Sequence, residues 1–377
     1  MSNLTSFLDQ AWEEHGDSAA AVAERLPQAL ALVRDDDGVT LLAALSHHVL
    51  GEHLCQWSQG LQLLQQLADL GLHQAAGGAA LARCQASLRL CAGQGDDRPQ
   101  LSAGDRSRVS AMAAANLGAS QAGRALAYLQ EAEADAAGLS DADVAVRALA
   151  VNANNLAVTL QALKPLPAAQ RELMLHSARL ARRQWQRAGG WLGDCRAWGR
   201  ARVEAKNGLR LGAKHSHAWR HGAHSQRRIS PFLASTRRAG AIFGAIQRCR
   251  LVVGANPTPR RRLGWHRNSP RRGPEPKPDS LLELERADYR LALCCLSAGD
   301  AAQAMRHAQH CMAVARDHGE PPLELFFAAE ALALAAAALG DDVARQAALQ
   351  TAHASFDALP PADQGWCRAT LERLVSN

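Results

Sequence analysis

The chain has 377 residues and a net charge of +6, and 47% of its residues are hydrophobic but only 4% aromatic. This apolar content can form a large core, which excludes a disordered tail, and the shortage of aromatic residues argues against an all-β sandwich. The chain carries none of the GxxxxGKS/T, GxSxG and HExxH patterns of common phosphate-binding, hydrolase and zinc-protease sites. We therefore expect neither an enzyme nor a cofactor.

The opening stretch, MSNLTSFLDQAWEEHGD, has no basic region followed by a continuous apolar run, so it predicts no secretory signal. The most apolar run, residues 325–340, contains Glu330 and falls short of the ~20 strongly apolar residues of a membrane span. The nine cysteines are scattered without a CxxC pair, a pattern typical of reduced, mostly buried thiols. We expect a cytoplasmic protein without a membrane segment.

From residue 4 to residue 163, apolar residues recur at the helical spacing i, i+3, i+4 and i+7. Breaks that contain glycine or proline separate the predicted helices, and they lie at Gly38, Gly71, 93–100, 138–141 and 164–167. Ser140 with Asp143 is similar to a capping box and predicts the start of a helix. No run of alternating residues predicts a β-strand.

One stretch in this region, SHHVLGEH at residues 46–53, contains residue types that bind metals. His48 and Glu52 are four residues apart and share one helix face, next to His47 and His53. The spacing matches no common metal signature, and a hydrogen-bonded turn is the commoner arrangement of such groups. We therefore predict no metal site, with metal binding as the alternative.

Residues 193–281 differ from the rest of the chain in composition. They hold 20 Lys and Arg against 4 Asp and Glu, a balance of +16, whereas the remainder holds 22 basic and 32 acidic residues, a balance of −10. Seven of the 15 prolines also lie there, and the helical periodicity stops. We predict a helical-repeat segment at 1–192, a basic and mostly unstructured insertion at 193–281, and a second helical-repeat segment at 282–377 that packs on the first.

Several roles are compatible with this insertion. Its arginines and tryptophans could bind nucleic acid, although no recognition motif accompanies them. Residues 232–253 could form a surface helix on an anionic membrane. Four histidines could hold a metal, although their spacing is not that of zinc sites: His215, His217, His221 and His224. We prefer a plainer interpretation, an inserted and largely unfolded stretch without a selected function. Its composition is also that of an inserted element or out-of-frame stretch in a GC-rich gene.

A small residue recurs in the predicted helix pairs, at Ala132, Ala178, Cys311 and Ala352. The first two are 46 residues apart and the last two are 41 apart. Ala178 and Cys311 are 133 residues apart, which becomes 44 when the 89 residues of the insertion are left out. This regular interval indicates a repeated helical hairpin that the insertion interrupts.

Three stretches of this repeat, at 152–185, 287–316 and 331–356, resemble the tetratricopeptide repeat in its kinesin-light-chain-like form. The matching positions are Asn154, Asn155, Leu156 and Ala157 in the first stretch, Ala292, Gly299 and Asp300 in the second, and Ala333, Gly340 and Asp341 in the third. The resemblance implies an all-α fold, a TPR-like α-α superhelix or solenoid of antiparallel helix pairs. We expect the glycines at the turns to adopt the left-handed conformation that ends a helix.

Such a solenoid forms a concave groove, lined by the first helices of the pairs, that can hold an extended peptide or a partner helix. The resemblance implies a protein–protein interaction scaffold. We predict a non-catalytic bacterial scaffold or adaptor whose protein or peptide partner is unidentified. The alternative is a regulatory protein that uses the solenoid for ligand or dimer contacts and the insertion for nucleic-acid binding.

Six residues are candidates for the peptide-binding site: Asn152, Asn154, Asn155, Arg147, Arg286 and Arg290. Three asparagines within four helical residues need a reason, because each costs roughly 0.6 kcal/mol relative to Ala inside a helix. An amide has both donors and an acceptor and can clamp a peptide backbone, as asparagines of the first helix do in the family. The arginines could bind carboxylates if they face the groove, and they otherwise face water.

Overall fold

The computed structural model describes residues 3–188, 278–317 and 321–376. Within these ranges the chain is helical and contains no β-strand, which confirms the all-α prediction. The helices are α1 (Leu4–Ala29), α2 (Asp36–Ser46), α3 (Trp57–Asp69), α4 (Ala75–Ala92), α5 (Ala103–Leu117), α6 (Ala122–Ala137), α7 (Val144–Gln161), α8 (Ala168–Ala188), α9 (Pro278–Ser297), α10 (Ala301–Asp317), α11 (Pro322–Leu339), α12 (Asp342–Asp357) and α13 (Pro361–Ser376). Short 3₁₀ turns lie at Leu30–Leu32 and Arg98–Gln100, and a π-helical turn at His47–His53 continues α2.

The glycine–aspartate pairs at two helix ends have the predicted conformation. Gly299 and Gly340 have φ angles of +82° and +71°. After Gly340, the N–H of Asp341 donates to the carbonyl of Ala336 at 2.9 Å, which satisfies a carbonyl at the end of α11. The Asp341 carboxylate then accepts from the N–H of Ala344 at 2.9 Å and starts α12. One glycine–aspartate pair therefore ends a helix and begins the next.

The start of α7 differs from the predicted capping box. Its cap is Asp143, whose Oδ1 accepts from the N–H of Ala145 at 2.8 Å. Ser140 contributes only its backbone carbonyl, which accepts from the N–H of Asp143 at 2.9 Å. Because Asp143 directly precedes the first helical residue, its carboxylate is the nearer partner for the free N–H groups of the first turn.

Helices α5 to α12 pack as four consecutive hairpins, α5/α6, α7/α8, α9/α10 and α11/α12. The first helix of each hairpin also contacts the first helix of the next, so that α5, α7, α9 and α11 form one row. The second helices α8 and α10 pack against the first helices that follow them, α9 and α11. Each hairpin thus buries its apolar face against its neighbours in the chain.

The four recurring small residues occupy equivalent places in the second helices. Ala132, Ala178, Cys311 and Ala352 each lie ten residues after the first residue of α6, α8, α10 and α12. None of the four is more than 1% exposed. A small buried side chain lets two helix backbones approach closely, so the hairpins share one packing register.

The gap between α8 and α9 does not separate them in space, because the two helices pack directly on each other. Arg182 of α8 places its Nε 2.7 Å from Oδ1 of Asp288 on α9. Residues 278–281 form the first turn of α9. Pro278 suits the first helical position, where an N–H has no helical partner. The predicted lack of structure in 193–277, and the roles considered for it, lie outside the described residues.

Helices α1 to α4 surround the π-helical turn. Their core consists mainly of leucines, of which Leu26, Leu42 and Leu64 are fully buried. Gly51 in the π-helical turn lies so close to α5 that a Cβ there would come 2.6 Å from Oδ1 of Asn116. Glycine therefore allows the turn to lie against α5.

Helix α11 is, among the described residues, the one helix long and apolar enough to cross a membrane by length and composition. Half of it is buried inside the protein. It also carries Glu330, which is 8% exposed. The buried core helices of soluble proteins meet the same criteria of length and composition, so this helix alone is weak evidence for a membrane span.

Candidate functional site

The three candidate asparagines lie on α7, in the row of first helices, but they differ in exposure. Asn154 is buried, whereas Asn152 and Asn155 are half-buried. Nδ2 of Asn152 donates to the carbonyl of Ala148, one turn earlier, at 2.9 Å. Oδ1 of Asn155 is shielded from water and accepts no hydrogen bond from the described part of the chain. Asn155 is therefore the candidate whose acceptor is unused, and in this conformation the oxygen is covered by the protein.

Two of the candidate arginines connect α9 to its neighbours in the row. Nη2 of Arg286 lies 2.5 Å from Oε1 of Glu324 on α11, and its Nε lies 3.3 Å from the other carboxylate oxygen. Arg290 is 8% exposed, and its Nη1 donates to Oε1 of Gln161 at the end of α7 at 2.8 Å. The third arginine, Arg147, is half-buried on α7. The structure thus gives Arg286 and Arg290 contacts within the row.

Tyr289 lies between these two arginines on α9, and it was not among the residues predicted for the site. Tyr289 of α9 is half-buried, and its ring centroid lies 5.5 Å from that of Phe327 on α11. Its hydroxyl donates to Oε2 of Glu330 at 2.9 Å. Burial raises the pKa of the Tyr289 hydroxyl and of the Glu330 carboxyl above their usual values. The chain has only two tyrosines, which is the one signal that the sequence offers.

The histidines of the π-helical turn face two directions. His47 is buried, and its Nε2 lies 3.1 Å from Oγ of Ser87 and 3.2 Å from Nδ2 of Asn116, which links the π-helical turn to α4 and α5. Burial lowers the pKa of His47 to about 4. His48 and His53 lie on the other side, where they meet a histidine of α1 that the sequence analysis did not consider, His15.

Comparison of this chain with protein-family models, with curated proteins and with solved structures gives no match in any of the three.

Proposed function

We propose that this protein is a non-catalytic scaffold whose hairpins form a TPR-like solenoid and bind a peptide or partner helix along the row of first helices. The observation that carries the proposal is the shared register of the hairpins, in which four small residues occupy the same place in four second helices. Hairpins that repeat one packing arrangement accumulate a constant rotation and produce a curved surface.

The first helices offer two kinds of group to such a partner. Asn155 is half-buried, and the described residues leave its amide oxygen unused. A rotation of this side chain would turn the oxygen toward the backbone N–H donors of an extended peptide. Tyr289 and Phe327 form a half-buried aromatic pair on the next two first helices. Aromatic side chains in partly covered positions dominate the binding energy of many interfaces. We place the peptide across α7, α9 and α11.

The cysteines support the cytoplasm as the location of this function. Of the seven described cysteines, all are free thiols and all except Cys55 are buried. Burial raises the pKa of Cys84 to about 12 and that of Cys295 to about 11, so these thiols are protonated and unreactive at neutral pH. Such thiols serve as core packing and suit a reducing compartment.

A peptide selected from a phage-displayed library against the full chain serves as the probe for this proposal. Its affinity for the wild type and for Asn155→Ala is then measured by fluorescence anisotropy. We expect Asn155→Ala to bind about three- to tenfold more weakly, because one hydrogen bond contributes about 0.5–1.5 kcal/mol.

The matched control is Gln130→Ala, which removes an exposed amide from the second helix α6. It is expected to bind the peptide as the wild type does. Equal affinities of Asn155→Ala and Gln130→Ala would contradict the proposed groove, and a library that yields no binding peptide would contradict peptide binding.

A further inference from the structure

Three histidines converge where α1 meets the π-helical turn. The ring centroids of His15, His48 and His53 lie 4.7 to 5.1 Å from one another. One nitrogen of each ring lies within 4.8 Å of the other two, and Nε2 of His48 is 3.1 Å from Nε2 of His53. His53 is exposed and the other two are half-buried, so an ion from solvent can reach the cluster.

The π-helical turn is what brings His48 and His53 together. In an α-helix, residues five apart point about 140° away from each other. Here the N–H of Leu54 donates to the carbonyl of Val49 at 3.2 Å, an i→i+5 bond that places residues five apart on one face. Such turns are rare and occur frequently at functional sites.

Two neighbouring groups orient the rings. Nδ1 of His15 lies 2.9 Å from the carbonyl oxygen of Trp12, and Nδ1 of His48 lies 3.0 Å from Oε2 of Glu52. An acceptor beside Nδ1 favours the tautomer with the proton there and the lone pair on Nε2. In His48, Nε2 is the nitrogen that lies next to His53. A carboxylate behind a histidine is a common second ligand shell of zinc sites.

The chemistry of these side chains suits a cation. Imidazole is the commonest metal ligand of proteins. The Glu52 carboxylate lies against His48 and adds a negative group beside the rings.

We propose that His15, His48 and His53 bind a divalent transition-metal ion, with Zn²⁺ as the preferred ion and Glu52 as the group that orients His48. Tetrahedral Zn²⁺ with bonds of about 2.0–2.1 Å places two nitrogen ligands roughly 3.4 Å apart. Nε2 of His48 and Nε2 of His53, 3.1 Å apart, are close to this spacing. His15, whose ligand nitrogen is within 4.8 Å of the other two, would reach it through a side-chain movement. Imidazole nitrogens favour Zn²⁺, Cu²⁺ and Ni²⁺ over Mg²⁺ and Ca²⁺.

The bound ion would connect two parts of the fold. His15 lies on α1, just before the non-helical Ser18 that divides this helix, whereas the other two ligands belong to the π-helical turn. A metal bond between them stabilises the folded state, because the unfolded chain holds no such site. The N-terminal helix is therefore fixed to the core by the metal.

The experiment is a calorimetric titration of the full chain, without a histidine tag, with ZnCl₂ and in parallel with MgCl₂ at pH 7.5. We expect one Zn²⁺ per chain, no Mg²⁺ binding, a higher melting temperature with Zn²⁺, and Zn–N distances of about 2.0–2.1 Å by X-ray absorption. His15→Ala and His53→Ala should each weaken Zn²⁺ binding more than about 100-fold, since loss of an orienting group such as Glu52 alone costs about 10–100-fold.

Two control variants exclude zinc bound elsewhere. His353→Ala removes an exposed histidine from α12, and a second variant replaces His215, His217, His221 and His224 together by alanine. Both should retain wild-type affinity for Zn²⁺.

The test variant His53→Ala is expected to fold normally. His53 is exposed, so its removal should leave the melting temperature of the metal-free chain unchanged.

Three results would overturn the proposal. The first is the absence of Zn²⁺ binding. The second is binding that persists in His53→Ala or is lost in either control variant. The third is binding that depends on His53 but not on His15, because the site would then lie within the π-helical turn alone.

Discussion

Single residues on α9 show how far the sequence alone can be interpreted. Asp288 is fully buried, and its carboxylate lies 2.7 to 2.9 Å from nitrogens of Arg182, His307 and His310. Burial opposes ionisation, but these partners outweigh it and lower the pKa of Asp288. A charged residue in a helical sequence normally faces water. The partners come from α8 and α10, so no local pattern could predict this burial.

Glu330 leads to a prediction about pH. Burial raises its pKa above the ordinary 4.5, so the folded protein keeps this proton to a higher pH than the unfolded chain does. The free energy of unfolding therefore falls as pH rises from about 4.5 through the folded-state pKa. Glu330→Gln carries no charge and can still accept from Tyr289. We expect it to melt at a higher temperature than the wild type at pH 7.5, and at nearly the same temperature at pH 4.

Thermal melts of the wild type, of Glu330→Gln and of Glu24→Gln over this pH range test the prediction. Glu24 is an exposed carboxylate of α1, and its replacement is expected to follow the wild type. A difference between Glu330→Gln and the wild type that stays constant from pH 4 to pH 7.5 would rule out this effect of burial.

At the scale of helices and turns, local sequence predicts the hairpins well and the π-helical turn not at all. The glycine–aspartate turns and the small residues of the second helices depend on neighbours in the chain, and both are confirmed. The π-helical turn depends on contact with α5, where Gly51 meets Asn116. His15 joins His48 only after α1 packs on this turn, and their separation of 33 residues hides the cluster from any spacing rule.

Replacing glycine by alanine is expected to change the stability in opposite directions at two positions, one of them in the turn between α11 and α12. Gly340 has a φ of +71°, a conformation that costs a residue with a Cβ roughly 1–2 kcal/mol. Gly123 lies in the first turn of α6, where a Cβ would meet nothing within 4 Å, and alanine is favoured there by less than the ~1 kcal/mol of a helix interior. We expect Gly340→Ala to lower the free energy of unfolding and Gly123→Ala to raise it. Urea denaturation measures both, and a gain in Gly340→Ala would contradict the role of this turn.

For the whole molecule, the insertion was predicted from composition, and the contact between α8 and α9 shows that the helices on either side of it meet. The order of the hairpins follows from the regular interval of small residues. The sequence could not predict the partners of Arg286 and Arg290, which lie on α11 and α7. Predicting them requires knowing that α7, α9 and α11 lie side by side in this order.

Replacing residues 193–277 with a short Gly-Ser linker is the corresponding test. We expect unchanged helicity and melting temperature, since α8 and α9 already pack and share the Arg182–Asp288 ion pair. Circular dichroism measures both quantities, and loss of cooperative melting would show that the fold needs these residues.

Filter binding of nucleic acid at two salt concentrations separates the scaffold from the regulatory alternative. A steep loss of affinity with salt, seen in the full chain but not in the shortened one, would favour the regulatory protein.

The direct packing of α8 on α9 has a consequence for how the molecule can be divided. The peptide chain leaves one helix at Ala188 and enters its neighbour at Pro278, and the two helices pack on each other across this break in the described chain. Two separately expressed pieces, ending and beginning between these points, would present complementary halves of one apolar interface. We therefore expect the two fragments to reassociate when they are mixed.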